Sequence, residues 1–275
     1  MVLELICILC GGSLAVAGSL TFWPIHNWWD FYIPIVLYMA GWIAGIGVLF
    51  FIEWLAGLFI NQHKEYDHVS KWAKFWFITG IKFITNHAHI WVKTHDAYKV
   101  PQHEQFVLVC NHRSKFDNFI ITRKFSKLDI AFITKKSNYK IPVANQLMPG
   151  LCYIPIDRDD KINSLEGFKR AVSLIENNIS SVGVFPEGTR QTDTVLGDFH
   201  EGPFNIAIHA KSPIVVATIK NTDLVHKRWP LKATVVQLDI IAVLSYEEYA
   251  GMPAKAVSDM VHDMMQQHLQ QIQGQ

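Results

Sequence analysis

The chain has 275 residues, 50% of them hydrophobic, with 25 Lys and Arg against 24 Asp and Glu. A formal net charge of +1, with no dense Lys/Arg run and no aromatics interleaved with one, excludes nucleic acid as a bulk partner. The length suits one ordinary domain plus an appendage, and the positive mean hydropathy is concentrated at the front.

Neither Leu5 to Ile25 nor Phe31 to Ile52 carries a charged residue. Each is close to the ~20 residues that cross a hydrocarbon core. Pro24-Ile25-His26-Asn27-Trp28-Trp29-Asp30 separates them, and Trp23, Trp28 and Trp29 read as an interfacial aromatic belt. Residues 1–62 therefore read as a membrane hairpin of two apolar helices, either spanning the bilayer or inserted from one side. A signal peptide fits poorly, because Glu4 stands where a basic region belongs. A lipoprotein signal ending at Cys10 is opposed by the bulk of Leu9. Gly41, Gly45 and Gly47 would permit close helix packing, within the hairpin or between chains. The connecting loop has no Lys or Arg, whereas Lys64, Lys71, Lys74 and Lys82 come after the second apolar run. The positive-inside rule then places everything after about residue 60 in the cytoplasm.

Cys7 and Cys10 lie in an apolar run without further ligands and read as small apolar helix residues. With Cys110 and Cys152 in strand-like runs, no disulfide framework is indicated.

Residues 63–275 read as a cytoplasmic α/β domain. Its first segment, about 68–92, reads as an amphipathic helix. Lys71, Lys74 and Lys82 fall within about 80° of one another, and Val69, Trp72, Trp76 and Phe83 make a second stripe. Lysine with tryptophan suits an interfacial helix. A core helix with a solvated lysine edge remains an equal reading. His87, His89 and His95 lack ligand-spaced partners other than Asp96, so no metal site is expected.

Beyond residue 105 strand-like runs at 105–110, 130–134, 151–156, 181–185, 213–219 and 232–244 alternate with helix-like ones. Leu165, Phe168, Val172 and Ile175 make one helical stripe over 163–177. A shorter helix is expected over 201–211. The last helix, about 254–272, is given a capping-box start at Ser245 and Glu248. This alternation implies helices flanking a largely parallel or mixed sheet. Ligands of such sheets bind at the carboxyl ends of the strands.

The chemistry is concentrated at those ends. His112 precedes Asp117 by five residues, about 500° of helix rotation, so the two meet only if the chain turns between them. A strand ending at Cys110, a polar turn and a helix starting near Asp117 would pair them as general base and orienting carboxylate. Backbone amides near this turn, with Arg113 and Ser114, are candidate oxyanion donors. Arg158 and Arg190 each present two parallel donors suited to phosphate oxygens. Glu187 would orient Arg190 or bond a glycerol hydroxyl. Gly188 allows close backbone approach, and Thr189 adds a hydroxyl.

These residues fall in motifs that resemble the glycerolipid acyltransferase family. Asn111, His112, Ser114 and Asp117 match its N-H-x-x-x-x-D motif. Tyr153-Ile154-Pro155-Ile156-Asp157-Arg158 matches the second motif, and Phe185-Pro186-Glu187-Gly188-Thr189-Arg190 the third. Pro213 to Thr218 reads as the fourth, with Ala217 where a second proline is common; His200 stands where the family often has lysine. The resemblance covers about residues 70–245 and implies that Lys135 helps bind the acceptor's phosphate, with its neighbour Lys136, or simple solvation of either lysine, as the alternatives. It implies a membrane-bound O-acyltransferase moving an acyl group from an acyl thioester to a lysophospholipid hydroxyl, with 1-acylglycerol 3-phosphate the favoured acceptor. Acyl-CoA or acyl carrier protein would bring the donor as co-substrate, without a resident cofactor. Glycerol 3-phosphate or another lysophospholipid as acceptor, water as acceptor, and a non-catalytic lipid-binding protein on the same fold are the alternatives.

Overall fold

A computed structural model describes residues 2–21, 32–157, 160–191 and 196–273. The chain divides into two units, Met1–Ile60 and Asn61–Gln275. The Trp23–Trp29 belt and Arg158 lie outside the described residues.

The first unit is a pair of helices, α1 (Val2–Thr21) and α2 (Tyr32–Gly57). Both are long and apolar enough to cross a membrane. Their contact runs antiparallel and depends on missing side chains. A Cβ at Gly41 would lie 2.6 Å from the Cys10 carbonyl oxygen, and one at Gly45 would lie 2.8 Å from Cys7 Cα. Such close backbone approach is the use of small residues in helix pairs embedded in lipid. Of the two packing options for these glycines, Gly41 and Gly45 serve the hairpin itself, whereas Gly47 faces open space.

The second unit carries a seven-stranded sheet. Its strands are β1 (Ile90–His95), β2 (Val107–Cys110), β3 (Ile130–Lys135), β4 (Ile154–Ile156), β5 (Ser181–Val184), β6 (Ile214–Lys220) and β7 (Thr234–Leu244). The order is β1-β7-β6-β2-β5-β3-β4. Strands β2 to β6 run parallel, while β7 is antiparallel to β6 and parallel to β1. The central strands β2 and β5 are buried throughout, as befits parallel strands covered on both faces.

Helices α6 (Lys161–Glu176), α7 (Gly202–Ala210) and α10 (Ala254–Gln273) share one core with Val107 and Val109 of β2. Leu108 alternates with those valines and points to the other face. There α3 (Lys71–His87) buries Ala73, Phe77, Ile81 and Thr85, a repeat of four. Phe77 meets Tyr153 edge-on, and Tyr153 meets Phe132 of β3. Helix α4 (Phe116–Lys124) packs beside α3. The remaining helices, α5 (Ala144–Leu147), α8 (Val225–Arg228) and α9 (Tyr246–Tyr249), are single turns.

Three expectations change. The segment 68–92 is not one helix. It ends at His87, His89 takes a left-handed backbone, and Ile90–His95 becomes an edge strand whose side chains alternate between buried and exposed. The buried stripe of α3 is also a different one, and Lys74 sits on the domain side, bonded to Asp129 at 2.6 Å. Finally, the capping box at Ser245 and Glu248 is present but starts the short α9, not α10.

Candidate active site

β2 ends at Cys110, and Asn111 sets the path of the chain beyond it. Its side-chain nitrogen donates to the Ile219 carbonyl at 3.0 Å, and its oxygen accepts from the Ile219 amide at 2.7 Å. The side chain thereby imitates one more rung of the ladder between β2 and β6, and it turns the main chain out of the sheet. Residues 112–115 cross to α4, whose first turn contains Asp117.

The turn is organised around one carboxylate oxygen. Asp117 Oδ2 lies 2.8 Å from His112 Nδ1 and accepts the backbone amides of Arg113 (2.7 Å) and Ser114 (2.8 Å). Asp117 is fully buried. An Nδ1–H donated to this oxygen fixes the tautomer that leaves Nε2 as the acceptor. The ring stacks on Phe185, with centroids 4.3 Å apart.

Glu187 closes the turn from the neighbouring strand. Its Oε1 accepts the His112 amide at 2.7 Å, and its Oε2 accepts the Gly197 amide at 3.0 Å. This corrects the expectation that Glu187 orients Arg190 or meets a glycerol hydroxyl: both oxygens are already bonded to main chain, and the residue is buried. Burial pushes its carboxyl above the usual range, against the lowering pull of those two amides. Gly188 takes a left-handed backbone, φ 70°, at the turn after β5.

Most amides of this turn are committed elsewhere. Those of His112, Arg113 and Ser114 go to the two carboxylates, that of Phe116 to Ser114 Oγ, and that of Gly188 to the Phe185 carbonyl. Arg113 also reaches sideways, its Nε 3.2 Å from Asp223 Oδ1. Cys110, one residue before the motif, offers no nucleophile. Burial first, then the Asp117 and Glu187 charges, pushes its thiol well above the usual range.

Beside the stacked ring lies a groove of about 410 Å³. Its polar edge carries Lys135, Gly188, Ser164 and His200; its walls include Ile133, Phe168, Phe185 and Ile206. Lys135 and Gly188 thus share the groove, with His200 where the sequence departs from the family pattern. Thr189 and Arg190 are exposed just past Gly188 and do not line it. Asp223 and the partners of Glu187 were missed because they come from segments remote in sequence. Asn111 was part of the motif, but its ladder bonds were not foreseen.

Residues 91–220 match the family model described as Acyltransferase. A chloroplastic 1-acyl-sn-glycerol-3-phosphate acyltransferase of Brassica napus is 35% identical over 116 residues, covering 42% of this chain and 33% of that protein. An uncharacterized acyltransferase of Schizosaccharomyces pombe is 30% identical over 165 residues, 59% of this chain and 58% of the relative. The chain thus spans between a third and three-fifths of these two relatives' length. The crystal structure of the 1-acyl-sn-glycerophosphate acyltransferase PlsC from Thermotoga maritima superposes with a TM-score of 0.60. It covers 83% of this chain and 88% of its own at 20% identity, so it speaks for the fold. Motifs, family model and curated relatives agree in likening residues 91–220 of this chain to the acyltransferases of glycerolipids.

Proposed function

We propose that the protein is a membrane-bound O-acyltransferase that esterifies the free hydroxyl of a lysophospholipid, with 1-acylglycerol 3-phosphate the favoured acceptor. The observation that carries this is the His112–Asp117 contact, with the imidazole stacked on Phe185, which lines the groove. His112 Nε2 takes the proton of the acceptor hydroxyl as its oxygen bonds to the thioester carbonyl carbon. The carbon–sulfur bond then breaks, and the imidazolium returns the proton to the departing thiolate. Asp117 stabilises the imidazolium between these steps. The acceptor attacks directly, so no enzyme nucleophile is needed, and the raised Cys110 thiol is consistent with that.

Lys135 at the groove edge and Arg190 on the turn past Gly188, together with Arg158, would hold the phosphate, and Gly188 and Thr189 would line its approach. The apolar walls suit an acyl chain. The donor is an acyl thioester on coenzyme A or acyl carrier protein, and no resident cofactor enters the chemistry. Helices α1 and α2 anchor the enzyme, and the lysines just after them favour the cytoplasmic face for the catalytic unit.

The test uses purified protein in detergent with lysophosphatidic acid and an acyl thioester. Release of free thiol should need both substrates and should fall on the order of 10²–10⁴ in His112→Ala. Equal rates in wild type and variant would refute the assignment. Preference for glycerol 3-phosphate in competition would change the acceptor and leave the chemistry. Free fatty acid without added lysolipid would indicate a hydrolase.

A further inference from the structure

The connection between β6 and β7 leaves the sheet at the same end as His112. β6 runs parallel to β2, so Lys220 and Cys110 finish together. Arg113 of the motif turn is paired with Asp223, three residues beyond β6. β7 returns antiparallel, and β1 lies parallel to β7, so both of these strands begin at that end.

What this end shows to solvent is unusual for a polar surface. Every residue from His226 to Ala233 is exposed. Leu231, on the turn, is 91% exposed, and Trp229 is 56% exposed. Next to them Trp91, 67% exposed, lies in register beside Val235, 40% exposed. Trp229 is not loose: its indole N–H donates to the His87 carbonyl at the end of α3, at 2.9 Å. The polar atom is satisfied internally while the ring stays in the open. Lys227, Arg228 and Lys232 flank the apolar tip, and no Asp or Glu occurs from Leu224 to Leu238.

Each part fits one kind of partner. Tryptophan rings settle at the headgroup level of a bilayer. A leucine on a protruding turn fits the boundary with the acyl chains. A cluster of cations without counter-charges is attracted to anionic headgroups. We propose that the Trp229–Lys232 turn, with Trp91 and Val235 beside it, docks on an anionic lipid bilayer and holds the His112 end of the sheet against it. This surface belongs to the second unit and is distinct from the α1–α2 hairpin. It deepens the lipid-acceptor reading above and rests on it for its purpose: an amphiphile would leave the membrane at the end where the base lies. The contact itself requires no turnover.

The experiment places a nitroxide at Leu231→Cys in the full-length protein, reconstituted into phosphatidylcholine vesicles with one quarter phosphatidylglycerol. Wild type treated with the same reagent reports labelling of the native thiols. Accessibility to oxygen and to a water-soluble nickel complex then gives the depth. Position 231 should lie below the headgroups, whereas a probe at Glu104→Cys, exposed at the opposite end of the sheet, should stay in water. Lys227→Gln, Arg228→Gln and Lys232→Gln should each lower the docked-to-free ratio about fivefold. Vesicles of phosphatidylcholine alone should lower it too. A probe at 231 as wet as the one at 104, or depth indifferent to phosphatidylglycerol, would overturn the proposal. So would a probe already immobilised in detergent, which would assign the turn to a protein partner or a second copy. A deep probe on a protein that transfers no acyl group would sink the acceptor reading and leave the docking surface standing.

Discussion

Two histidines in the second unit meet a buried carboxylate through Nδ1: His112 reaches Asp117 at 2.8 Å, and His95 reaches Asp239 at 2.6 Å. By distance and by burial of the acid the pairs are near twins. Their settings differ. Asp117 lies in the turn after a parallel strand, and its other donors are the amides of that same turn. Asp239 lies within β7 and joins three elements. It accepts His95 from β1, His268 from α10 at 3.0 Å and its own neighbour Gln237 at 2.6 Å. The His112 side chain is mostly covered and stacked beside a groove, whereas that of His95 is 65% exposed. A His–Asp contact is therefore not a catalytic site by itself. In one place the acid holds an imidazole against a phenylalanine that lines a groove; in the other it ties a terminal helix and an edge strand to the sheet.

The same substitution at the two acids tests that contrast most strongly. Asp117→Asn should lower kcat on the order of 10²–10⁴, because the base loses its orienting anion and tautomer. Asp239→Asn should leave kcat unchanged and lower the unfolding free energy by roughly 1–3 kcal/mol, the cost of a disrupted buried acceptor. Thiol release and denaturant unfolding in detergent measure the two effects. If Asp239→Asn abolished turnover in a folded protein, the distinction would collapse. A smaller effect separates the arms of the clasp. His268→Ala, on partly buried α10, should cost about 1 kcal/mol, and His95→Ala should cost less because its ring is largely solvated. Hydrogen exchange of α10 should rise in the former and barely change in the latter.

What could be read from the sequence divides along the same line. The turn from β2 to α4 was legible because its determinants are local: a buried run, a polar break and an acid five residues after the histidine. The turn holding Phe185 to Arg190 was legible for the same reason. β1 was missed because Ile90–His95 continues the apolarity of α3, and its period of two appears only through pairing with Thr234–Asp239. The role of Glu187 was misjudged for a related cause. Its partners, His112 and Gly197, are brought to it by the sheet and a loop, and no spacing announces them. Asp223 carries no local signal at all. The capping box at Ser245 shows the converse: a correct local motif attached to the wrong helix, because the break from Ala250 to Pro253 separates α9 from α10.

Glu187 supplies the finest version of the comparison, since it is a buried acid that holds amides and no imidazole. Burial keeps its carboxyl above the usual range despite the two amides. The folded protein therefore holds that proton more tightly than the unfolded chain does. Stability linked to this group is then fully present below the ordinary glutamate value of about 4.3 and is lost as pH rises through the raised folded value. The rest of the chain is common to wild type and a Glu187→Gln variant, so the difference between them reports the exchanged side chain. That difference isolates Glu187. The variant should lose less stability than wild type as pH climbs from about 4 into the range just above the ordinary glutamate value. Unfolding midpoints in detergent, measured at closely spaced pH, would show converging or diverging curves if burial dominates at Glu187. Parallel curves would mean that the His112 and Gly197 amides cancel the cost of burial.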